Sequence, residues 1–224
     1  MANTYVVTGC NRGLGLEFVR QLVARGEQVI GTARNLGDLK GPAESGVKTH
    51  ALDVSDVESI ERFSETMSGQ AIDVLINNAG VGVHSKPFES LDFNEMEEFF
   101  ATNTVGALRV FRALLPALRL GSLKKVVSLT SKMGSIADNS SGAAYSYRVS
   151  KAGLNMATRS LAIDYRAEGF ICVVVHPGWV ATDMGGAGAP VTPEESISGM
   201  LRVIDGLRSE DSGEHIDFTG ARVP

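Results

Sequence analysis

Tyr5-Val6-Val7-Thr8-Gly9-Cys10-Asn11-Arg12-Gly13-Leu14-Gly15 stands near the start of the chain, and its reading decides the fold. Tyr5-Val6-Val7 is a β-branched and aromatic run that stops at Thr8-Gly9, after which Leu14, Phe18 and Leu22 recur at helical spacing until Gly26. Strand, glycine turn and helix follow one another within twenty-odd residues. The alternation then repeats. Strands are expected over Gln28–Ala33, Val47–Leu52, Ile72–Asn77, Lys125–Thr130, Phe170–His176 and, as a last edge strand, His215–Phe218. Helices are expected over Asp56–Met67, Asn94 to about Leu118, Ser146–Glu168 and from Thr192-Pro193 to about Leu207, with Ser55/Glu58 and Thr192/Glu195 in capping-box spacing. Ile171-Cys172-Val173-Val174-Val175 has no polar alternation, as a strand covered on both faces requires. Strands separated by helices pair in parallel through crossovers, so the chain reads as a doubly wound α/β sheet, a Rossmann fold, forming one domain over 1–224.

Length and composition agree with one core. The 224 residues are 43% hydrophobic and 21% charged, within the ordinary globular range, and 25 glycines point to many tight turns. A net charge of −5 supplies no broad positive field, so neither nucleic acid nor an anionic membrane surface is an expected partner. The longest charge-free apolar stretch, Gly169–Thr182, is too short to span a bilayer and is broken by His176-Pro177-Gly178. Cys10 and Cys172 form no metal or disulfide pattern, so no metal site is expected and the compartment reads as reducing. With no basic or apolar leader ahead of Thr4, a cytoplasmic location is expected.

A doubly wound sheet binds its ligand at the carboxyl ends of the strands, beside the first strand. There Gly9, Gly13 and Gly15 have GxxxGxG spacing, which lets backbone approach a pyrophosphate while the amides around Leu14 aim at it. An NAD enzyme would carry an acidic residue at the end of the second strand, but this one ends Thr32-Ala33-Arg34. Arg34 and Arg12 together suit a 2′-phosphate, so NADP is expected over NAD; two unremarkable surface arginines are the plainer reading. Asp53-Val54 after the third strand suits the adenine amino group, and equally a turn. Asn77-Asn78-Ala79-Gly80 ends the fourth strand with small residues beside which an adenosine ribose fits. Tyr147 and Lys151, four apart on a helix, lie roughly 40° apart around its axis and about 6 Å along it. An ammonium so placed favours the phenolate and draws a phenol toward the pKa range useful in acid–base chemistry.

With Asn103 in Asn103-Thr104-Val105-Gly106 and Ser131 ending Ser128-Leu129-Thr130-Ser131, these motifs follow the order of the short-chain dehydrogenase/reductase family, which the whole chain from Thr4 resembles. The resemblance implies Tyr147 as proton donor or acceptor and Ser131 as the hydroxyl orienting a substrate carbonyl. It further implies that Lys151 lowers the tyrosine pKa and holds the nicotinamide ribose, and that Asn103 kinks its helix and supports a proton relay. His176-Pro177-Gly178-Trp179-Val180-Ala181-Thr182 resembles the family's turn after the sixth strand, making Pro177, Val180 and Thr182 candidates for the nicotinamide end. Tyr145 has Val149, not a cation, four residues on and is assigned to pocket or packing; Ser128 and Ser135 are rival serines that match the family position less well. His176 reads as a core polar group, and Trp179 as pocket cover or filler. Within the family the chain resembles the C-factor and sniffer type of carbonyl reductase through Tyr147–Ala152, Leu154-Asn155-Met156 and Asp183-Met184-Gly185-Gly186. That likeness implies an NADPH-dependent carbonyl reductase, or alternatively an NADP-binding sensor or signalling protein, assembled as a homodimer or homotetramer through the long helices beginning at Asn94 and Ser146. The Gly- and Ala-rich stretch at about 183–193 is expected to form a short flap over an open site for small or planar carbonyl or alcohol substrates.

Overall fold

The computed structural model describes residues 2–44, 46–82 and 87–224. Seven strands, β1 Thr4–Val7, β2 Gln28–Ala33, β3 Lys48–Ala51, β4 Val74–Asn77, β5 Lys125–Leu129, β6 Ile171–His176 and β7 His215–Asp217, form one sheet in the order β3-β2-β1-β4-β5-β6-β7. Every neighbouring pair is parallel. The order reverses between β1 and β4, and the crevice of a doubly wound sheet opens at that point.

Helices cover both faces: α1 Gly13–Ala24, α2 Lys40–Glu44, α3 Val57–Thr66, α4 Phe93–Phe100, α5 Ala107–Leu120, α6 Tyr145–Asp164 and α7 Pro193–Gly206. Successive strand residues serve opposite cores, since side chains alternate across a sheet. Val7, Val127 and Val173 pack with Phe18 and Leu22 of α1 and with Met200 of α7. Val6, Val126 and Cys172 pack with Phe63 of α3 and with Phe111 and Leu114 of α5. Burial on both sides leaves the carboxyl edge of the sheet as the place where polar side chains collect.

Two local features differ from the sequence reading. The Ser55/Glu58 box does not form: Asp56 caps α3 through the Glu58 amide, while the Ser55 amide and hydroxyl both donate to Asp53 Oδ1 at 2.9 and 2.6 Å. Asp56 is one residue nearer the helix and reaches its free amides first. At the other expected box, Thr192 accepts from the Glu195 amide at 3.1 Å with Pro193 in the first turn. The helix expected from Asn94 to Leu118 is instead α4 and α5 joined by a π-helical turn over Ala101–Gly106. Asn103 sits inside that turn, where the chain widens to seat its side chain.

Candidate active site

Six strand ends deliver the predicted residues to one edge. β1 runs into Gly9, β2 into Arg34, β4 into Asn78–Gly80, β5 into Ser131 and β6 into Pro177, while β3 is followed closely by Asp53-Val54. Gly9 and Gly13 adopt left-handed φ values of 66° and 54°, and Gly15 lies under the turn: a Cβ there would stand 2.2 Å from Gly9 O and 2.5 Å from Asn78 Nδ2. Only glycine permits the first conformation and the second approach together. Among the described residues no side chain caps α1, whose N-cap is Arg12, so its first amides around Gly13 and Leu14 remain directed at the crevice. This uncapped, side-chain-free cradle fits a diphosphate.

Thr8 ties the turn to β4, its hydroxyl accepting from the Asn78 and Ala79 amides at 3.0 Å each. The Asn78 side chain donates to Thr8 O and Gly9 O at 2.8 and 2.9 Å, so Asn78 builds the cradle with its amide and leaves backbone facing the crevice. Arg34 is exposed and forms no ion pair among the described residues. Arg12 does not converge on it freely: its guanidinium holds Asp183 of the flap at 2.9 Å. One Asp53 oxygen is committed to the Ser55 turn, while Val54 is buried against Gly106. Thr182 spends its hydroxyl on Val180 O and the Gly185 amide, yet its methyl comes within 3.9 Å of where a Gly13 Cβ would stand, bringing the flap beside the glycine turn. Val180 is buried and Pro177 O accepts from Ser196 Oγ at 2.6 Å, anchoring the turn after β6 to α7. The Trp179 indole donates to Gly185 O at 2.8 Å and is 60% exposed, so it packs on the stretch after Thr182 and not in the core.

The reactive cluster is buried. Asn103 is 2% exposed; its Oδ1 accepts from the Val81 amide at 2.8 Å and its Nδ2 donates to Ser150 Oγ at 3.0 Å, which in turn donates to Tyr147 O. Ser150 and Thr104, whose hydroxyl donates to Ser150 O at 2.6 Å, were not singled out from the sequence. Their only sequence signal is proximity to Lys151 and Asn103. Gly80 closes the group, since a Cβ there would meet Asn103 Oδ1 at 2.9 Å and Lys151 Nζ at 3.7 Å. Ser131 Oγ accepts from the Met133 amide at 3.1 Å and lies near enough to the Tyr147 phenol to draw its pKa down. Ser128 faces Asn77 instead.

Burial governs the electrostatics of Tyr147 and Lys151. It pushes the Tyr147 phenol up to about 12, with the Ser131 side chain opposing. The ammonium lies 5.8 Å from the ring centroid and donates to Leu129 O at 2.8 Å, while its own burial brings it down to about 8. Desolvation therefore outweighs the cation, and the phenol stands as a protonated acid. His176 is likewise held neutral by burial, down to about 4, which agrees with its reading as a core group.

Residues 3–190 match the family model described as short chain dehydrogenase. Among curated proteins the chain is 50% identical over 162 residues to C-signal of Myxococcus xanthus, covering 72% of this chain and 98% of that one. The carbonyl reductase Sniffer of D. melanogaster superposes with a TM-score of 0.93 at 30% identity, over 100% of this chain and 99% of the other. An NADPH-bound carbonyl reductase from chicken fatty liver superposes at 0.91 with 35% identity, over 99% and 98%. With its doubly wound sheet, its glycine cradle and a match that spans most of its length, the chain belongs to the short-chain dehydrogenase family of oxidoreductases.

Proposed function

We propose that the protein is an NADPH-dependent carbonyl reductase, a single domain over 1–224 whose short flap at about 183–193 borders the substrate space. The observation that carries this reading is the buried grouping of Ser131, just after β5, with Tyr147 and Lys151 of α6 and Asn103 of the π turn. When bound, the nicotinamide supplies the hydride. Tyr147 donates its proton to the oxygen that becomes an alkoxide, and Ser131 hydrogen-bonds the same oxygen, stabilising charge where it develops. Lys151 meets the nicotinamide ribose, and Asn103 holds Val81 and Ser150 so that the β4 loop and α6 keep their spacing and a proton relay has a fixed wall. Gly9, Gly13, Leu14 and Gly15 take the diphosphate, and Arg12 and Arg34 the 2′-phosphate. Asp53 and Val54 take the adenine, the backbone of Asn78, Ala79 and Gly80 the ribose, and Pro177, Val180 and Thr182 the nicotinamide end.

NADPH oxidation over a panel of carbonyls tests the activity, and Tyr147→Phe should abolish turnover while NADPH still binds. Full turnover by that variant removes the assignment. The flap is short, so short aldehydes and planar aromatic carbonyls should be better substrates than steroid ketones; activity confined to steroids overturns that part. The 50% identity to C-signal favours a second reading, a signalling protein that binds NADP with little turnover. A silent panel with micromolar NADPH binding would select it. A homodimer is further supported by an apolar stripe on α6, Val149, Met156 and Ile163, seven residues apart and 40–68% exposed, beside Phe93 and Phe100 of α4. Met156→Glu should yield a monomer by ultracentrifugation if that face pairs two copies. The two buried, unpaired thiols Cys10 and Cys172 suit a cytoplasmic setting, which cell fractionation tests.

A further inference from the structure

Three consecutive residues before α6 are left-handed: Gly142 at φ 64°, Ala143 at 52° and Ala144 at 48°. Glycine takes this conformation freely, whereas each alanine sets its Cβ against the following carbonyl. Two strained residues therefore lie within four positions of the Tyr147 phenol, and Ala144, the N-cap of α6, has no side chain to cap the helix. Something must hold the turn. The Arg148 guanidinium does so from one turn into the helix, Nε donating to Gly142 O at 3.0 Å and Ala143 O at 3.2 Å, and Nη2 to Ser141 Oγ at 2.8 Å. Nη1 reaches Met133 O at 3.4 Å, and the Met133 amide is the one that donates to Ser131 Oγ. One planar fork thus grips both ends of the segment that leaves Ser131 and returns to Tyr147. A cation in the first turn of a helix opposes the macrodipole, so local helix preference does not account for an arginine here.

We infer that Arg148 is a positioning residue for the Ser131–Tyr147 hydroxyl pair, holding the left-handed turn at 142–144 and tying it to the segment after Ser131. The inference rests on the reading of that pair as the carbonyl-binding groups. Asn155 supports the same segment from the next turns of α6, accepting from Thr130 Oγ1 at 2.5 Å and donating to Gly134 O at 3.2 Å. That grip lies on the Ser131 side; on the Tyr147 side Asn139 Oδ1 accepts from the Gly142 amide at 3.1 Å, and the carbonyls of Gly142 and Ala143 are held by Arg148. Three donor nitrogens making four hydrogen bonds, to three carbonyls and a hydroxyl, need the rigid guanidinium; an ammonium on a flexible stem does not span them. Displacements on the order of 1 Å between reacting groups cost about a hundredfold in rate.

The test compares wild type, Arg148→Met, Arg148→Lys and Arg148→Met combined with Ala143→Gly and Ala144→Gly, with Tyr147→Phe as the reference for the underlying reading. Turnover of benzaldehyde, NADPH affinity and the crystal structure of Arg148→Met are measured. The expected result is a ten- to hundredfold loss of kcat in Arg148→Met with the NADPH Kd within twofold of wild type, negligible recovery by lysine, and at least fivefold recovery by added guanidinium or by the two glycines. In the crystal, Ala143 and Ala144 leave the left-handed region and the Ser131 and Tyr147 hydroxyls move apart. Retained kcat, a parallel loss of NADPH affinity, or alanines still left-handed with the hydroxyl pair intact overturns the inference. The crystallographic arm decides the matter even where benzaldehyde is a poor substrate or lysine alone folds. Full activity of Tyr147→Phe removes the underlying reading; an inactive Tyr147→Phe beside an unaffected Arg148→Met removes only the role of Arg148.

Discussion

Arg12 has two claimants. Its guanidinium pairs with Asp183 at 2.9 Å on a part of the surface where the two side chains are 70% and 81% exposed. A pair so exposed contributes about 0–1 kcal/mol. A charge-assisted hydrogen bond from Arg12 to a cofactor 2′-phosphate is worth about 1.5–3 kcal/mol, so the phosphate outcompetes Asp183, at a net gain of roughly 0.5–3 kcal/mol once the ion pair is given up. Two variants separate the terms. Asp183→Asn frees the guanidinium and should tighten NADPH by up to about fivefold while leaving NADH unchanged, because about 1.4 kcal/mol is tenfold in affinity. Arg12→Gln should weaken NADPH by about two- to 150-fold, again with NADH little altered. Isothermal titration of both cofactors at two salt concentrations gives all the constants, and the advantage of Asp183→Asn should shrink at high salt, where the wild-type pair is already screened. If Asp183→Asn weakens NADPH and NADH equally, the aspartate acts as a strap over the diphosphate instead of a competitor. An unchanged NADPH/NADH ratio in Arg12→Gln would remove the 2′-phosphate assignment.

Lys151→Met should separate stability from function. Burial brings the ammonium from 10.5 down to about 8, so below pH 8 the charged form costs the fold up to roughly 3 kcal/mol at about 1.4 kcal/mol per unit. The folded state binds fewer protons than the unfolded chain between pH 8 and 10.5, so the variant should melt several degrees higher at pH 7, with the gain fading across that window, and should turn over at least about a hundredfold more slowly; a lower Tm at pH 7 refutes it. Gly15→Ala should lower Tm by about 2–12 °C for an overpacking cost of roughly 1–3 kcal/mol, and should weaken NADPH and NADH together, because the added Cβ drives into Gly9 O and Asn78 Nδ2. His176, at about 4 in the fold against 6.5 outside it, binds no proton where the unfolded chain does, so stability should fall as pH drops from 6.5 toward 4. His176→Asn should flatten that acid limb in a melting series, and an unchanged slope would show that the ring is solvated.

The order of elements was readable because each rests on a local signal. Val6-Val7, Leu75-Ile76 and Val173-Val174-Val175 are β-branched or aliphatic runs closed by turn residues, and α7 begins at the expected Thr192-Pro193. The cradle was readable because left-handed Gly9 and Gly13 are places where only one residue type serves. The π turn at Ala101–Gly106 was foreshadowed only by the family resemblance, as a kink at Asn103, and not by local residues, since the Asn103 side chain spans Val81 on the β4 loop and Ser150 on α6, 22 and 47 residues away in sequence. Arg12 shows the same limit, because its partner Asp183 lies 171 residues on.

Tyr147 and Lys151 mark where the boundary falls in physical terms. Their spacing places both on one face of α6, and both arrive in the buried cluster. Proximity alone predicts that the cation lowers the phenol. Yet the charge of each group depends on how completely the surrounding elements strip it of water, and that depends on Leu129, Gly80 and the β4 loop arriving together. Desolvation raises a phenol and lowers an ammonium, so the same burial that assembles the pair drives both toward neutrality and weakens the Coulombic help expected between them. In the proposed reaction Tyr147 is then a neutral donor whose pKa burial raises and the Ser131 hydroxyl lowers. Ser131→Ala should accordingly raise the phenol pKa further and impair kcat more than KM, and a variant that changes KM alone would place Ser131 in binding instead of in proton transfer.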